Sequence, residues 1–455
     1  MAESRKLFGT DGIRGMANSE PMSVDTILRV GRAAACVFRR SDDRRHSVVI
    51  GKDTRLSGYM FETALASGLC SMGVDVILVG PVPTPGIAFL TTSMRTDAGV
   101  VISASHNPYN DNGIKFFGPD GFKLADAVER SIEKLVFSNG ELDERRPEAS
   151  EVGKATRLED AKGRYITYLK QNFPQEHSLD GLKIVVDCAH GATYKIAPTV
   201  FAELGASLTK IGIKPNGKNI NHHCGALHTD KLAQKVKEVG ADLGIAFDGD
   251  GDRAIFCDEN GRVFDGDDVL GILARPMLAH GELGKGVVGT VMSNFGLEQY
   301  FRSNRIPFFR APVGDRYVVE MMKEEGSLFG GEPSGHLVSL HRSTTGDGIL
   351  SALLLLGELQ RSDRPLSSYA KLIPRYPQVI RNVAVKTKPS FEKLPPVAKS
   401  IREAESRLSG TGRVLVRYSG TEPKARVMVE GENEKIVKRL ADEIAAAIQS
   451  EIGVA

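Results

Sequence analysis

Leu243-Gly244-Ile245-Ala246-Phe247 runs directly into Asp248-Gly249-Asp250-Gly251-Asp252-Arg253. The first five residues form an apolar run that reads as a buried strand, and the six that follow are acidic and jointed by glycine. Two other places share this pattern. Residues 100–102 lead to Ser103-Ala104-Ser105-His106-Asn107-Pro108, and residues 327–329 lead to Gly331-Glu332-Pro333-Ser334-Gly335-His336. In open α/β sheets, ligands gather at the carboxyl ends of strands. A hydroxyl, a carboxylate cluster and a polar clamp offered there by three units imply one composite active site.

Outward from these signatures, the pattern predicts three similar α/β units. The first has a strand at 48–50, a helix at 61–72 and a strand at 76–79. The second has 183–187, 194–204 and 207–211, and the third 287–292, 297–302 and 306–309. Val- and Ile-rich runs alternating with helical periods indicate parallel βαβ units buried on both faces. In each unit a further helix then leads to the strand that carries the signature.

The tail differs. Pro374-Arg375-Tyr376-Pro377 punctuates the chain after Leu372. Beyond it come a strand at 383–385, a helix at 397–408, strands at 413–417 and 427–430, and a helix at 433–448 with Ile436, Leu440, Ile444 and Ile448 as its buried stripe. This order predicts a small α+β domain with a largely antiparallel sheet. The expected domains are 1–152, 153–253, 254–370 and 371–455, with 138–152 a charged surface link.

At 455 residues the chain is too long for one core. A net charge of +2 with interspersed signs gives no electrostatic footprint for nucleic acid or anionic membrane. The five cysteines are widely spaced without a C-x-x-C pair; Cys36, Cys70 and Cys188 lie in apolar stretches and read as buried thiols of a reducing compartment. The polar amino terminus has no secretory pattern, and the apolar helix candidate at 349–356 is too short to span a bilayer. A cytoplasmic protein is expected.

Asp248, Asp250 and Asp252 alternate along a glycine-containing loop, so three carboxylates can turn to one side and repel unless a cation sits among them. Oxygen-only ligands suit Mg²⁺. An EF-hand would find Glu259 at position twelve, but Arg253 stands where Gly is needed. Gly249-x-Gly251-x-x-Ala254 mimics a dinucleotide fingerprint with no helix behind it, and a D-x-D-x-T/V phosphatase would want another residue at Asp252. A solvated acidic turn is the plain alternative.

Ser105 alone could cap a helix. Beside His106 it could signal a hydrolase, but neighbours on an extended chain point apart and no Gly-x-Ser-x-Gly elbow is present. Near a divalent cation it reads as a site of phosphoryl attachment, with Arg253 and Lys115 supplying positive charge. Glu332 and Ser334 can bond neighbouring hydroxyls of a sugar ring, though a glycine turn would look the same. Arg417-Tyr418-Ser419-Gly420-Thr421-Glu422-Pro423, then Arg426, offers hydroxyls, free N–H groups and two guanidiniums to a phosphate. A hairpin turn with surface arginines is its alternative. His222-His223-Cys224 with His228 fits no standard zinc spacing.

With these elements in chain order, the sequence resembles the α-D-phosphohexomutase superfamily over essentially its full length. The resemblance is carried by Phe8-Gly9-Thr10-Asp11-Gly12-Ile13-Arg14-Gly15, by Ser103 to Pro108 with Asp111-Asn112-Gly113-Ile114-Lys115, and by the aspartate, Gly331–His336 and Ser419-Gly420-Thr421-Glu422-Pro423 motifs. Asn219-Ile220-Asn221 with Cys224-Gly225, Val313-Gly314-Asp315-Arg316-Tyr317 and Thr344-Thr345-Gly346-Asp347-Gly348 favour the branch acting on glucosamine phosphates over those acting on mannose or glucose phosphates.

The resemblance implies a heart-shaped, four-domain isomerase that interconverts glucosamine 6-phosphate and glucosamine 1-phosphate through a phosphoserine and a 1,6-bisphosphate, supplying amino-sugar precursor for UDP-N-acetylglucosamine and the cell wall. Phosphomannomutase or phosphoglucomutase chemistry is the alternative. Ser105 would carry the phosphoryl group and, with Asp248, Asp250 and Asp252, hold one Mg²⁺. Glu332 and Ser334 would grip sugar hydroxyls. Arg417, Ser419, Gly420 and Thr421 would hold the non-reacting phosphate, with Arg253 and Arg426 also binding substrate. Lys115 and His336 match positions used near proton transfer, and Arg14 joins them in the catalytic group. A hexosamine or hexose 1,6-bisphosphate is the implied activator, a phosphosugar the partner, and a homodimer the candidate assembly. Pro333, Tyr418 and His190 depart from the family's usual residues.

Overall fold

The computed structural model describes residues 7–9, 11–39, 44–419 and 422–454. Its strands fall into four sheets. The first contains β1 (Ile13–Met16), β2 (Ser47–Lys52), β3 (Asp75–Pro81), β4 (Ala98–Ile102), β5 (Asp111–Phe117) and β6 (Ala155–Arg157), ordered β1-β5-β4-β2-β3-β6. The second contains β7 (Lys183–Asp187), β8 (Ser207–Ile211), β9 (Leu243–Phe247), β10 (Ala254–Asp258) and β11 (Val263–Phe264), ordered β11-β10-β9-β7-β8. The third contains β12 (Val287–Thr290), β13 (Phe308–Ala311), β14 (Phe329–Gly331) and β15 (Leu337–Ser339), ordered β13-β12-β14-β15.

The three sheets share one four-strand plan. The first strand pairs in parallel with the second on one side and the third on the other, and a fourth strand adds antiparallel to the third. Helices Thr84–Ser93, Asp230–Val239 and Asp315–Glu325 lead to the third strands. The three signatures occupy equivalent turns, between the parallel third strand and the antiparallel fourth. All five residues of β4 and of β9 are buried, as a strand covered on both faces requires.

Sheet membership crosses two of the expected domain divisions. β6 lies beyond residue 152 yet pairs with β3, while β10 and β11 lie beyond residue 253 and hairpin back onto β9. The division at 253 falls in the turn of that hairpin, and apolar periodicity alone does not say whether the next strand returns to the same sheet.

The tail forms the fourth sheet, β16 (Gln378–Ala384), β17 (Gly412–Tyr418) and β18 (Lys424–Gly431), ordered β16-β18-β17 and antiparallel throughout. Helices Pro395–Leu408 and Glu434–Ile452 pack on it. Asn433 caps the last helix, and its buried stripe runs through Val437, Leu440, Ile444 and Ile448; Ile436 is exposed. A four-residue step overshoots the 3.6-residue turn, so Val437 takes the inward place expected of Ile436.

Apolar packing separates three units from one. A continuous core joins residues of the first three sheets, from Val49 through Ile184 and Phe247 to Phe329, whereas the fourth sheet has a core of its own from Val383 to Ile452. Polar contacts tie the fourth unit on: Asn294 bonds both the N–H (3.1 Å) and the carbonyl (3.0 Å) of Tyr376, and Glu430 accepts from Phe295 N (3.0 Å). Of the cysteines, Cys188 is buried as expected; Cys36 and Cys70 are half-buried, packed against the rim of the first unit's core. No helix among the described residues is long and apolar enough to cross a membrane.

Candidate active site

Ser105 follows β4 by three residues and adopts a left-handed backbone, with φ of +50°. Its amide donates to Ser103 Oγ (2.9 Å), and Ser103 Oγ donates to Asp53 Oδ2 (2.6 Å). Arg55, fully buried and paired with Asp53 at 2.8 Å, donates to the carbonyls of Ser105, Asn107, Pro108 and Asp111. Asn221, from the second unit, donates to the carbonyls of Ser105 (2.9 Å) and Asn107 (3.0 Å). The serine turn is thus held by its backbone, and its buried hydroxyl is left to bond across to the second unit.

That hydroxyl donates to Asp248 Oδ2 at 2.7 Å. It also stands 3.4 Å from His106 Nδ1. The expectation that neighbouring side chains point apart fails here because the turn is left-handed rather than extended. Burial, then the Arg253 and Arg14 guanidiniums, push the His106 imidazole down to about 4, so it is neutral near pH 7.

Asp248, Asp250 and Asp252 are all buried, and each offers a carboxylate oxygen within 4.8 Å of the others. Burial and the other two carboxylates hold Asp248 well above the usual range, and burial with Asp250 raises Asp252. Asp250 goes the other way. Burial opposes its ionisation, but Lys115 and the Thr84 hydroxyl (2.7 Å) outweigh it. Asp250 Oδ1 and Asp252 Oδ1 are buried without a hydrogen-bond partner among the described residues. Crowded hard oxygens short of positive charge are the donor set that fits a divalent cation such as Mg²⁺.

Lys115, on β5, lies 3.2 Å from Asp11, 3.3 Å from Asp250 and 4.0 Å from Asp252. Burial works against its charge, but these carboxylates raise it far above the ordinary lysine range. Lys115 is therefore a fixed cation.

The third signature docks on the second through the backbone. Ala254 N donates to Gly335 O (3.1 Å), and Arg253 and His336 form a β-bridge. Glu332 accepts from Gly314 N (3.1 Å), and Ser334 Oγ stands 3.4 Å from its carboxylate. The His336 ring is buried, 3.7 Å from Asp315, with neither nitrogen hydrogen-bonded among the described residues. Arg14 pairs with Asp11 rather than with Ser105.

Models of the four phosphoglucomutase/phosphomannomutase domains match the chain in order: alpha/beta/alpha domain I over residues 5–143, domain II over 163–261, domain III over 265–376 and the C-terminal domain over 381–447. The chain belongs to this family. Among its relatives are proteins named phosphoglucosamine mutase from Syntrophotalea carbinolica, 55% identical over 99% of this chain and 98% of that one, and from Desulfotalea psychrophila, 56% identical over 98% and 99%. The fold is shared with a phosphoglucomutase/phosphomannomutase family protein from Burkholderia thailandensis (TM-score 0.81, 24% identity, covering 99% and 100% of the two chains). It is shared also with an Aspergillus fumigatus N-acetylphosphoglucosamine mutase solved with GlcNAc-6P and magnesium (TM-score 0.67, 17% identity, 98% and 96%).

In this phosphohexomutase the expected phosphate-binding residues stand apart from the serine and aspartates. Arg417 and Arg426 face each other across β17 and β18 and line a cavity of about 300 Å³ with Met292 and Asn382. Ser419 is buried beside them in sequence, its carbonyl accepting from Lys388 (2.7 Å). Gly420 and Thr421 lie outside the described residues. No hydrogen bond or ion pair among the described residues joins this group to Ser105 or the aspartates.

Sequence reading missed Asp53, Arg55, Thr84 and Lys123; of these, Asp53 and Arg55 lie in the polar run Lys52-Asp53-Thr54-Arg55 at the end of β2 and could have been flagged on that ground, whereas Thr84 and Lys123 have no such signal. His222, His223 and His228 are not among the groups placed to share a cation. Of the unusual residues, Tyr418 stacks on Phe391 and His190 accepts from Lys214 N (3.1 Å). Both have structural work.

Proposed function

We propose that this protein interconverts glucosamine 6-phosphate and glucosamine 1-phosphate by way of a phosphoserine at Ser105. The observation that carries the reading is the 2.7 Å contact between Ser105 Oγ and Asp248 Oδ2, which sets a phosphorylatable hydroxyl against a three-carboxylate cation site. Full-length relatives at 55% and 56% identity named phosphoglucosamine mutase support the choice of sugar.

The phosphoryl group of phosphoserine 105 passes to the free hydroxyl of the bound monophosphate, giving a 1,6-bisphosphate and freeing the serine hydroxyl. The bisphosphate re-engages reversed and returns its other phosphoryl group to Ser105, leaving the isomeric monophosphate. A divalent cation held by Asp248, Asp250 and Asp252 with the serine would neutralise phosphoryl oxygens during transfer. Lys115 and Arg253 add fixed positive charge. His336, buried and without a hydrogen-bond partner among the described residues, is available to take the proton of the accepting hydroxyl. Glu332 and Ser334 would hold ring hydroxyls, and the Arg417–Arg426 pair the distal phosphate; two like charges facing across a sheet gain from a dianion between them. A hexosamine or hexose 1,6-bisphosphate would load the serine. Five free cysteines and a charged substrate fit a reducing, cytoplasmic setting.

Intact mass before and after incubation with glucosamine 1,6-bisphosphate tests the reading, with turnover of glucosamine, glucose and mannose 6-phosphates compared. One phosphoryl group mapping to Ser105, absent in S105A, and fastest turnover of the glucosamine ester are expected. S105A turning over at the wild-type rate would refute it.

A further inference from the structure

A chain of alternating charges crosses from the sugar-binding loop to the cation site, and its middle member touches neither. Lys123, only 16% exposed, bridges Asp11 of domain I and Asp315 of domain III. Asp11 continues the chain to Lys115 (3.2 Å) and so to Asp250 (3.3 Å); Asp315 continues it to His336 (3.7 Å). We propose that Lys123 is a positioning residue that sets the spacing between Ser105 and Lys115 of domain I and the His336 loop of domain III, which is itself docked on the aspartate loop through its backbone.

This rests on the function proposed above. Asp11 and Asp315 are like charges contributed by different domains, and each leans on a group at the centre of the site. With the Lys123 ammonium between them they attract a common partner. Without it they repel across the domain seam, and Lys115 and His336 move apart with them. Asp11 would keep Arg14 and Lys115, but Asp315 would keep only His336 at 3.7 Å among the described residues, and a buried carboxylate that loses its cation costs far more than the pair is favourable.

Other contacts hold the same seam away from the chemistry. Arg316 pairs with Asp126 and Glu129 (3.5 Å), and Thr344 Oγ1 donates to Gly121 O (2.6 Å). A cavity of about 440 Å³ lies along it, with Lys123, Phe122, Asp315 and Lys323 in its wall. The domains thus stay docked if Lys123 loses its charge, and what changes is their registry. Misplacement by about 1 Å from a distant substitution costs up to about a hundredfold in rate.

The test uses K123M and K123R in the full chain, measuring kcat, KM, thermal unfolding and phosphoryl uptake from glucosamine 1,6-bisphosphate by intact mass. K123M should lose about ten- to a hundredfold in kcat with KM within about threefold, while still accepting a phosphoryl group at Ser105. K123R keeps the charge and can bridge two carboxylates, so it should recover to within about threefold of wild type. K123M turning over normally with only a lowered melting point overturns the proposal, as does K123R being as slow as K123M. Should K123M not fold, D315N is read instead, and an unchanged kcat there overturns it equally. Wild-type protein that takes up no phosphoryl group refutes the function proposed above, and this inference falls with it.

Discussion

Arg55 Nη2 donates to the carbonyl oxygen of Ser105 at 2.9 Å, from a side chain with no solvent exposure. The same guanidinium serves three further carbonyls of that turn and the Asp53 carboxylate. R55M would strand a buried carboxylate and several carbonyls at once. A loss of about 3–5 kcal/mol is expected, read as a lowered unfolding midpoint in urea. R55K should recover little, because an ammonium lacks the five-donor fork.

Gly249 separates two of the aspartates, and a Cβ there would lie 2.6 Å from Ser105 O and 2.7 Å from Asn221 Nδ2. G249A should push the aspartate loop off the serine turn. A fall in kcat of at least about tenfold and a higher Mg²⁺ requirement are expected in steady-state assays. G163A is the control: this exposed helix position has nothing within 4 Å of an added Cβ, so stability should rise by about 1 kcal/mol.

Burial and the neighbouring Asp265 raise the Asp267 carboxyl to about 7, although it accepts from Asn294 N at 2.7 Å. The folded state therefore binds its proton more tightly than the unfolded chain does. This contribution to stability is full below the unfolded value, near 4 for an aspartate, and is lost as pH rises through about 7. Melting temperature should fall between pH 5 and pH 8 in part through this group, and D267N should flatten that slope. An identical slope in D267N would rule the assignment out.

Arg417 faces Arg426 across the sheet, and burial together with that neighbour pulls its pKa below the ordinary arginine value. R417A should raise KM for the phosphosugar at least about tenfold, the loss of one charge-assisted phosphate contact, while leaving the melting temperature unchanged or slightly higher as the repulsion goes. Phosphate should stabilise the wild type in thermal shift and R417A much less.

Local pattern was enough for the repeated units, the antiparallel tail and the place of each signature at a strand end. The strands expected at 183–187, 207–211 and 243–247 coincide with β7, β8 and β9 residue for residue; β9 is apolar and buried throughout, as a central strand covered on both faces must be, whereas β8 is a partly exposed edge strand. The clustering of the aspartates is equally legible, because one glycine between each pair lets all three carboxylates turn to one side. The left-handed turn at Ser105 was not legible: it depends on Arg55, Asp53 and Asn221 gripping the backbone from other loops. Nor was Lys123, an unremarkable lysine until Asp11 and Asp315 are brought to either side of it.

By itself, then, the order of residues determined which chemical groups this protein carries and at which strand ends they emerge, because hydrophobic period and glycine placement act over a few neighbouring residues. Only the tertiary structure decided which groups meet. Ser105 and Asp248 are 143 residues apart in the chain and in contact in space, and such a distance is closed by the shared apolar core of three sheets rather than by any local preference.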